Sequence, residues 1–520
     1  MQATPPPGPS ATTKPAVTKP RPINGSMSPI RKEQFDFDAA RHLLWRAGMG
    51  GTAQQIQTLV SWGPEKSVEH LVKFQGVTAP AAPTFSKNIM RPATAEERRT
   101  AASAARMRDE DTLAQVRLAR QNAEQQDRQQ MRDVQQWWLK RMIETPRPLE
   151  EKMTLFWHGH FATSYRTIEN SYHMVQQNEF FRRNAVGNFA DLLFGIIRDP
   201  AMLVYLNNNT SRKNKPNENL AREIMELFSL GVGNYTENDI KEGARALTGY
   251  TFEDDEFEFQ RNNHDNGEKT ILGRNGTIDG DGFVNAILEQ PACSKFLATK
   301  LYRYFVHDYP SGRKKLDEAG AAVIREMSNT LRRTKYQLTP TLRQLFLSQH
   351  FYDPAVRNEQ IKSPVQLVVG AIRSLNAPAR DLATLCDATN MMGQNIFFPQ
   401  SVKGWDGGRT WINTATMYVR QNTLVFLLTG RRPKGKDGLA DQQKFDAGPM
   451  LPQLADAFPG MGESSSKTLE ALLRFTLGRA DPAARESLVG FIDSTGGKLE
   501  GETLTQLMLL ITAMPEYQLC

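Results

Sequence analysis

The feature that most restricts the fold is residues 94–144, a long stretch without a glycine or a proline. Ala, Glu, Arg and Gln dominate it, and most of these residue types are strong helix formers. Its many charges are typical of a helix with a mostly solvated surface. We therefore predict one long charged helix, or two, that meets the body of the protein at Trp137 and Trp138.

The predicted fold is mainly α, a multi-helix globular body with a small β-hairpin insertion at about 250–282. Buried or amphipathic patterns such as "NFADLLFGIIRD" and "PNENLAREIMELFSLGVG" indicate further helices. The period-two alternation of "DEFEF" and the turn signal at Asn266–Gly267 predict the hairpin.

Four segments are predicted along the chain. Residues 1–30 are rich in Pro, Thr and Ser and cannot bury a core, so we predict a disordered tail. A helical domain is expected over 31–430, a linker rich in Gly, Lys and Asp over 431–449, and a C-terminal helical segment over 450–520.

Composition argues against several classes of protein. No apolar run reaches the roughly 20 residues of a spanning helix, so we expect no membrane span. Five of the seven net positive charges lie in residues 1–32, so the rest of the chain is nearly neutral. A nearly neutral body argues against specific binding of nucleic acid. Three scattered cysteines and the lack of an apolar export segment leave the cellular compartment open.

Several motifs occur in an order that resembles the bacterial family catalogued as domain of unknown function 1800. The resemblance covers roughly residues 35–430. It implies a mainly helical protein, often exported and often encoded beside a second family that resembles alkaline phosphatases and sulfatases, whereas an activity for the family is not established. The motifs are "ARHLLWRAGMG", "MTLFWHGHFATS", "RDPAMLVYLNNN", "PNENLAREIMELFSLGVGNYTE", "ARALTGYTF", "HDNGEKTILG", "IKSPVQLVVG" and "VKGWDGGRTWIN".

The first candidate site is the pair His158 and His160 in "LFWHGHFATS". Residues two apart on a helix point roughly 200° apart, so both rings bind one metal ion only if the helix breaks at Gly159. In extended backbone the two imidazoles share a face and are able to converge on a metal. The alternative is that one histidine is a buried hydrogen-bonding residue and the other is partly exposed.

The second candidate site is Glu223, in the amphipathic segment "NENLAREIMELF". On a helical wheel Glu218, Arg222 and Glu226 form an exposed ion-pair line, whereas Glu223 lies at the boundary of the buried face. We therefore rank Glu223 above Glu226 as metal ligand or general base. Arg222 is included among the catalytic candidates, although a surface salt-bridge helix explains the same pattern.

Two loops supply the remaining candidates. His264, beside Asp265 in "HDNGEKT", is either a proton carrier or part of the turn. In "VKGWDGGRTWIN" the cationic and aromatic side chains on a glycine-rich loop suit an anionic or sugar-like ligand, unless the tryptophans only pin the loop to the body. The ligand-binding candidates there are Lys403, Trp405, Arg409 and Trp411.

Two functions are consistent with these candidates. The first is an enzyme in which His158, His160, Glu223 and His264 line a polar cleft that holds a divalent transition metal (Zn, Mn or Fe). It would hydrolyse or oxidise an extracytoplasmic polymer or glycan. The second is a non-catalytic binding or assembly protein that works with a cell-envelope partner, for which the neighbouring alkaline-phosphatase/sulfatase-like family is the candidate. Under the resemblance, a periplasmic or secreted location is expected.

Overall fold

The computed structural model describes residues 24–307, 318–431, 445–479, 482–496 and 499–520. Within these ranges the protein is mainly α-helical with two small antiparallel sheets, which confirms the predicted fold class. Most of the predicted tail (1–23) and most of the predicted linker (432–444) lie outside the described residues. None of the described helices combines the length and the apolar character that a membrane crossing requires.

The α-helices in the described ranges have the following bounds. The first eleven are α1 Phe37–Ala47, α2 Ala53–Val72, α3 Ala95–Met107, α4 Glu110–Glu144, α5 Pro148–His160, α6 Tyr165–Ile168, α7 Ser171–Arg183, α8 Phe189–Ile196, α9 Pro200–Tyr205, α10 Glu218–Glu223 and α11 Glu237–Ala246. After the strands come α12 Gly280–Leu288, α13 Pro291–Phe305, α14 Glu318–Arg333, α15 Leu338–Leu347, α16 Pro364–Leu375, α17 Leu382–Met391, α18 Thr414–Thr429, α19 Met450–Ala457, α20 Ser465–Thr476, α21 Pro482–Ser494 and α22 Gly501–Ala513.

The long charged segment forms two helices, α3 and α4. Thr94 starts α3 with a capping box to Glu97, and Arg108 ends it in a left-handed conformation at φ 53°. Asp109 then caps α4, its carboxylate accepting a hydrogen bond of 3.1 Å from Thr112 N. The N-terminal part of this pair is exposed, whereas Trp138 near the end of α4 is fully buried, as predicted for the docking point.

The carboxylate of Glu151 joins three helices in the interior. It accepts hydrogen bonds from Arg141 on α4 (2.5 Å), from Arg182 on α7 (2.8 and 3.1 Å) and from the indole nitrogen of Trp138 (2.9 Å). Burial raises the pKa of this carboxyl, but the Arg182 and Arg141 guanidinium groups outweigh burial and hold the pKa below its ordinary value. The ion pairs thereby fix α5 between α4 and α7.

The predicted β insertion consists of two hairpins rather than one. Strands β1 (Tyr250–Glu253) and β2 (Glu256–Phe259) pair antiparallel, as do β3 (Lys269–Ile271) and β4 (Arg274–Gly276). Asn266–Gly267 lies in the loop between the hairpins and turns neither of them, because the turns fall at 254–255 and 272–273.

Both ends of the described chain pack on the central body. Ile30 N donates to Leu347 O (2.7 Å) and His350 N donates to Ser26 O (3.0 Å), so the tail prediction does not hold for residues 24–30. At the other end, Arg41 of α1 donates to Thr476 O (2.7 Å). One hydrophobic core cluster runs from Ile30 to Tyr517 across the predicted boundary at 431–449, and the division into separate segments stays a prediction.

Replacing Glu151 by alanine is expected to lower the free energy of unfolding by about 3–5 kcal/mol, because two buried guanidinium groups lose their counter-ion. Glu124→Ala is the matched control, since Glu124 pairs with Arg120 on the surface of α4, and its effect should stay below about 1 kcal/mol. Urea unfolding followed by circular dichroism measures both. Similar losses for the two variants would contradict the assigned role of Glu151.

Candidate functional site

Helix α5 runs straight through Gly159 and ends after His160, so the backbone has no break between the two histidines. The rings therefore point to different neighbours. His158 Nε2 accepts a hydrogen bond from Phe397 N (2.9 Å), and His160 Nε2 lies 2.9 Å from Phe228 O, to which it donates. Each imidazole is bound to the backbone of a different segment.

Both histidines are neutral core residues. Burial lowers the pKa of His158 to about 3, and burial together with the charge of Lys300 lowers that of His160 to about 3. Because His158 Nε2 accepts a hydrogen bond, its ring proton lies on Nδ1. The two rings are therefore not placed to bind one metal ion together. In the described part of the chain no three His, Cys, Asp or Glu side chains are grouped to hold a metal ion. The arrangement does not fit the predicted metal set of His158, His160 and Glu223.

Gly159 has a packing role instead of a hinge role. The loop residue Gly404 lies against it, and a Cβ on Gly404 would come within 2.0 Å of Gly159 O. Gly404 also has φ +75°, which favours glycine. A Cβ on Gly159 would meet the Trp405 ring at 3.5 Å. Two of the family-like motifs thus touch backbone to backbone, and Trp405 rests on α5.

The segment after α10 is a π-helical turn, and it affects which of the two carboxylates, Glu223 or Glu226, faces the cavity. Residues Ile224–Ser229 form a π-helical turn, with Leu230 N donating to Met225 O at 2.9 Å. Such turns shift the helical phase and recur at functional sites. Glu226 therefore lines the cavity described below, whereas Glu223 does not, and the ranking of Glu223 above Glu226 as ligand or base stays a prediction. Burial and the charge of Glu226 raise the pKa of the half-buried Glu223 carboxyl.

Arg222 and His264 lie outside this region. Arg222 pairs with Glu237 (3.0 Å) and Glu218 (3.2 Å) at the surface, which is the ion-pair alternative considered for that helix. His264 is buried, with Nδ1 at 2.8 Å from Thr248 O, and Asp265 forms a two-pronged pair with Arg245 (2.7 and 3.1 Å). Arg222 stays beside Glu223 on α10, where its charge lowers the pKa of that carboxyl, but Arg222 and His264 are each bound to partners away from His158 and His160.

A cavity of about 670 Å³ lies beside α5 and is the place where several of the predicted motifs meet. Its walls come from α5, the π-helical turn, α13 and the loop at 403–411. The side chains that give it its chemical character are cationic, acidic or aromatic: Lys152, Phe156, His160, Glu226, Lys295, Phe296, Lys300, Arg303, Tyr304, Lys403, Trp405, Asp406 and Trp411. Of the four predicted ligand-binding residues, Lys403, Trp405 and Trp411 line it, whereas Arg409 is exposed elsewhere on the loop.

Positive charge exceeds negative charge around this cavity. Five lysine and arginine side chains line it against two carboxylates, Glu226 and Asp406. Glu226 is engaged with Tyr235, whose hydroxyl donates to Oε2 at 2.6 Å. Burial and the neighbouring charges of Arg303 and Lys403 lower the pKa of Lys300 to about 8, although Asp406 raises it.

Sequence reasoning missed α13, which contributes more lining residues to the cavity than any other described helix. Its cavity face is the set Lys295, Phe296, Thr299, Lys300, Arg303 and Tyr304, spaced four residues apart in pairs. The signal was present as a stripe of alternating cationic and aromatic residues at helical period on "PACSKFLATKLYRYF". Lys152, a lysine inside the apolar helix α5, was missed as well.

Comparison with known proteins gives a family without an assigned activity. The family model described as "Protein of unknown function (DUF1800)" matches residues 42–519, which extends beyond the predicted stretch of resemblance through the C-terminal helices. No curated protein and no solved structure matches the chain.

The His158 and His160 rings should stay neutral down to about pH 4, because burial holds both pKa values at about 3. An NMR titration of ¹³C-labelled histidines, assigned with single His→Gln variants, measures this. Adding one equivalent of Zn²⁺ should leave both sets of resonances unchanged. A ring that titrates near its ordinary value, or that shifts with zinc, would restore the metal hypothesis.

Gly404→Ala is expected to destabilise the protein more than Gly407→Ala. Both positions have positive φ, which costs an alanine about 1–3 kcal/mol. A Cβ on Gly404 would in addition clash with Gly159 O, whereas a Cβ on Gly407 would meet open space. The additional overpacking should amount to about 1–3 kcal/mol in urea unfolding. Equal destabilisation would show that the loop does not rest on Gly159.

Proposed function

We propose that this chain, which belongs to the DUF1800 family, binds an anionic saccharide in the cavity between α5, α13 and the loop at 403–411. The observation that carries the proposal is that five cationic side chains and several aromatic rings line the same cavity. A volume of about 670 Å³ suits a small ligand or the end of a longer chain.

The charges favour an anion. Lys295, Lys300, Arg303 and Lys403 approach the cavity from α13 and the loop, and Lys152 approaches from α5. In a partly enclosed space with apolar walls, an ion interacts with fixed charges more strongly than it does in bulk water. Among the described residues that line the cavity, Glu226 and Asp406 are the carboxylates that oppose this potential, and the hydroxyl of Tyr235 donates a hydrogen bond to Glu226.

The aromatic side chains favour a ligand that has rings. Trp405 and Trp411 come from the loop and Phe156, Phe296 and Tyr304 from the helices. Aromatic faces offer a large and rigid surface to the apolar face of a sugar, and the nearby cations orient its acidic substituents. Lys300 Nζ lies 5.3 Å from the centre of the Phe296 ring, so a cation and an aromatic ring lie side by side in the cavity wall.

Binding is supported better than metal-assisted hydrolysis or oxidation. The ring nitrogens of His158 and His160 that a metal would need are directed to Phe397 N and Phe228 O, and Glu223 and His264 do not line the cavity. The proposal therefore retains the glycan ligand and the binding role of the sequence-based hypotheses and drops the metal. The cell-envelope partner and the extracytoplasmic location stay predictions.

Isothermal titration calorimetry with sulfated, uronic and neutral disaccharides tests the proposal. The anionic ligands should bind and the neutral ones should bind at least about tenfold more weakly, with an affinity that falls as salt is added, because screening weakens the charge interactions. Binding of neutral disaccharides with equal affinity, or of none at all, would refute it.

Lys300→Gln and Arg409→Gln provide the matched pair for that experiment. Both remove one positive charge, but Lys300 lines the cavity and Arg409 does not. Loss of a charged hydrogen bond should weaken binding of the anionic disaccharide about tenfold in the first variant, while the second binds as the wild type does.

A further inference from the structure

The cavity has an exposed mouth and a buried floor. The mouth is formed by exposed residues, namely Lys295, Lys403, Asp406 and Val232, and Val232 is 77% exposed to solvent. Lys152 is 4% exposed, and Gln366 and Gln394 are 5% exposed. All of these residues line the same cavity, so the difference in burial defines the direction in which a ligand enters.

Lys152 is a buried cation on this floor without a carboxylate partner. Its ammonium forms no hydrogen bond or ion pair with any residue that the structure describes, and its contact is with the Tyr304 ring, 5.4 Å from the ring centre. The Tyr304 hydroxyl donates to the Lys152 backbone oxygen at 3.0 Å, which holds helix and ring together. A buried charge without a partner costs free energy that an incoming anion would recover.

Two neighbouring amide side chains are hydrogen-bonded to groups other than the Lys152 ammonium. Gln360 Oε1 accepts from the Arg46 guanidinium, and its Nε2 donates to Arg303 O and Tyr304 O (3.0 and 3.1 Å). Gln366 Nε2 donates to Trp45 O at 2.9 Å. Burial, with a smaller contribution from the charge of Arg46, lowers the pKa of Lys152 to about 8, although the charge at Cys520 raises it. The floor is thus rigid and electropositive.

We infer that Lys152 forms a deep subsite for an oxyanion, a carboxylate or a sulfate, at the terminus of the ligand. The ligand then enters end first, with its terminal acid against Lys152 and the following sugar rings between α13 and the loop. The saccharide part of this inference rests on the proposed function, whereas the oxyanion subsite does not, because it follows from the burial of one ammonium group that lines the cavity and forms no hydrogen bond or ion pair with the described residues.

Thermal unfolding in sodium sulfate, sodium acetate or sodium chloride at matched ionic strength tests the subsite with three proteins. For the wild type, sulfate or acetate should raise Tm by several degrees in a saturable way relative to chloride. Lys152→Met keeps the length of the side chain and should abolish that rise, and its Tm in chloride should exceed that of the wild type because the isolated charge is gone. Arg409→Gln should respond to the anions as the wild type does.

A Lys152→Met protein that retains the saturable rise, or a wild type that shows none, would overturn the subsite. A second measurement needs only the wild type: a disaccharide that ends in a uronic acid should bind about tenfold more tightly than its methyl ester. Equal affinities would also overturn the inference. If neither compound binds while sulfate still raises Tm, the saccharide proposal fails and the oxyanion subsite stands.

Discussion

The Glu151 carboxylate is the interaction on which the position of α5 depends. Arg141 reaches it from α4, Arg182 reaches it from α7, and Trp138 completes its hydrogen bonds. A carboxylate taken out of water requires this degree of compensation, because an isolated buried charge is strongly unfavourable. With both oxygens satisfied, a helix that is buried on nearly all sides keeps a fixed rotation about its axis. That rotation decides where its next residues point.

The cavity follows from this rotation. Lys152 comes directly after Glu151 and points away from the ion-pair cluster to the cavity floor, next to Tyr304. Two turns further on, Gly159 presents bare backbone to Gly404, and the loop can approach closely enough to place Trp405 against the helix. The two histidines beside Gly159 hold that end of the helix by bonding to Phe397 and Phe228. The two histidines of the motif therefore have a structural role, since each one binds the backbone of another segment.

Much of the fold was predictable because its signals are local. The absence of glycine and proline over 94–144 predicted helix, and a capping aspartate at position 109 explains why there are two helices. The period-two alternation predicted the first hairpin. The Asn266–Gly267 turn signal lies in the loop between the two hairpins, where Arg245 binds Asp265.

The candidate site was less predictable because it depends on non-local packing. The loop bearing Trp405 was found from its own composition, whereas the role of Lys152 exists only once Tyr304 covers it. Glu226 rather than Glu223 lines the cavity because one π-helical turn shifts the phase that a regular wheel assumes.

We infer that one cavity, with a positively charged floor and aromatic walls, binds the acidic end of a ligand. A crystal structure of the protein with a disaccharide that ends in a uronic acid measures this most directly. We expect the carboxylate within about 2.7–3.2 Å of Lys152 Nζ and the sugar rings between α13 and the loop at 403–411. A ligand bound outside this cavity at saturating concentration, or one whose carboxylate faces the mouth, would contradict it.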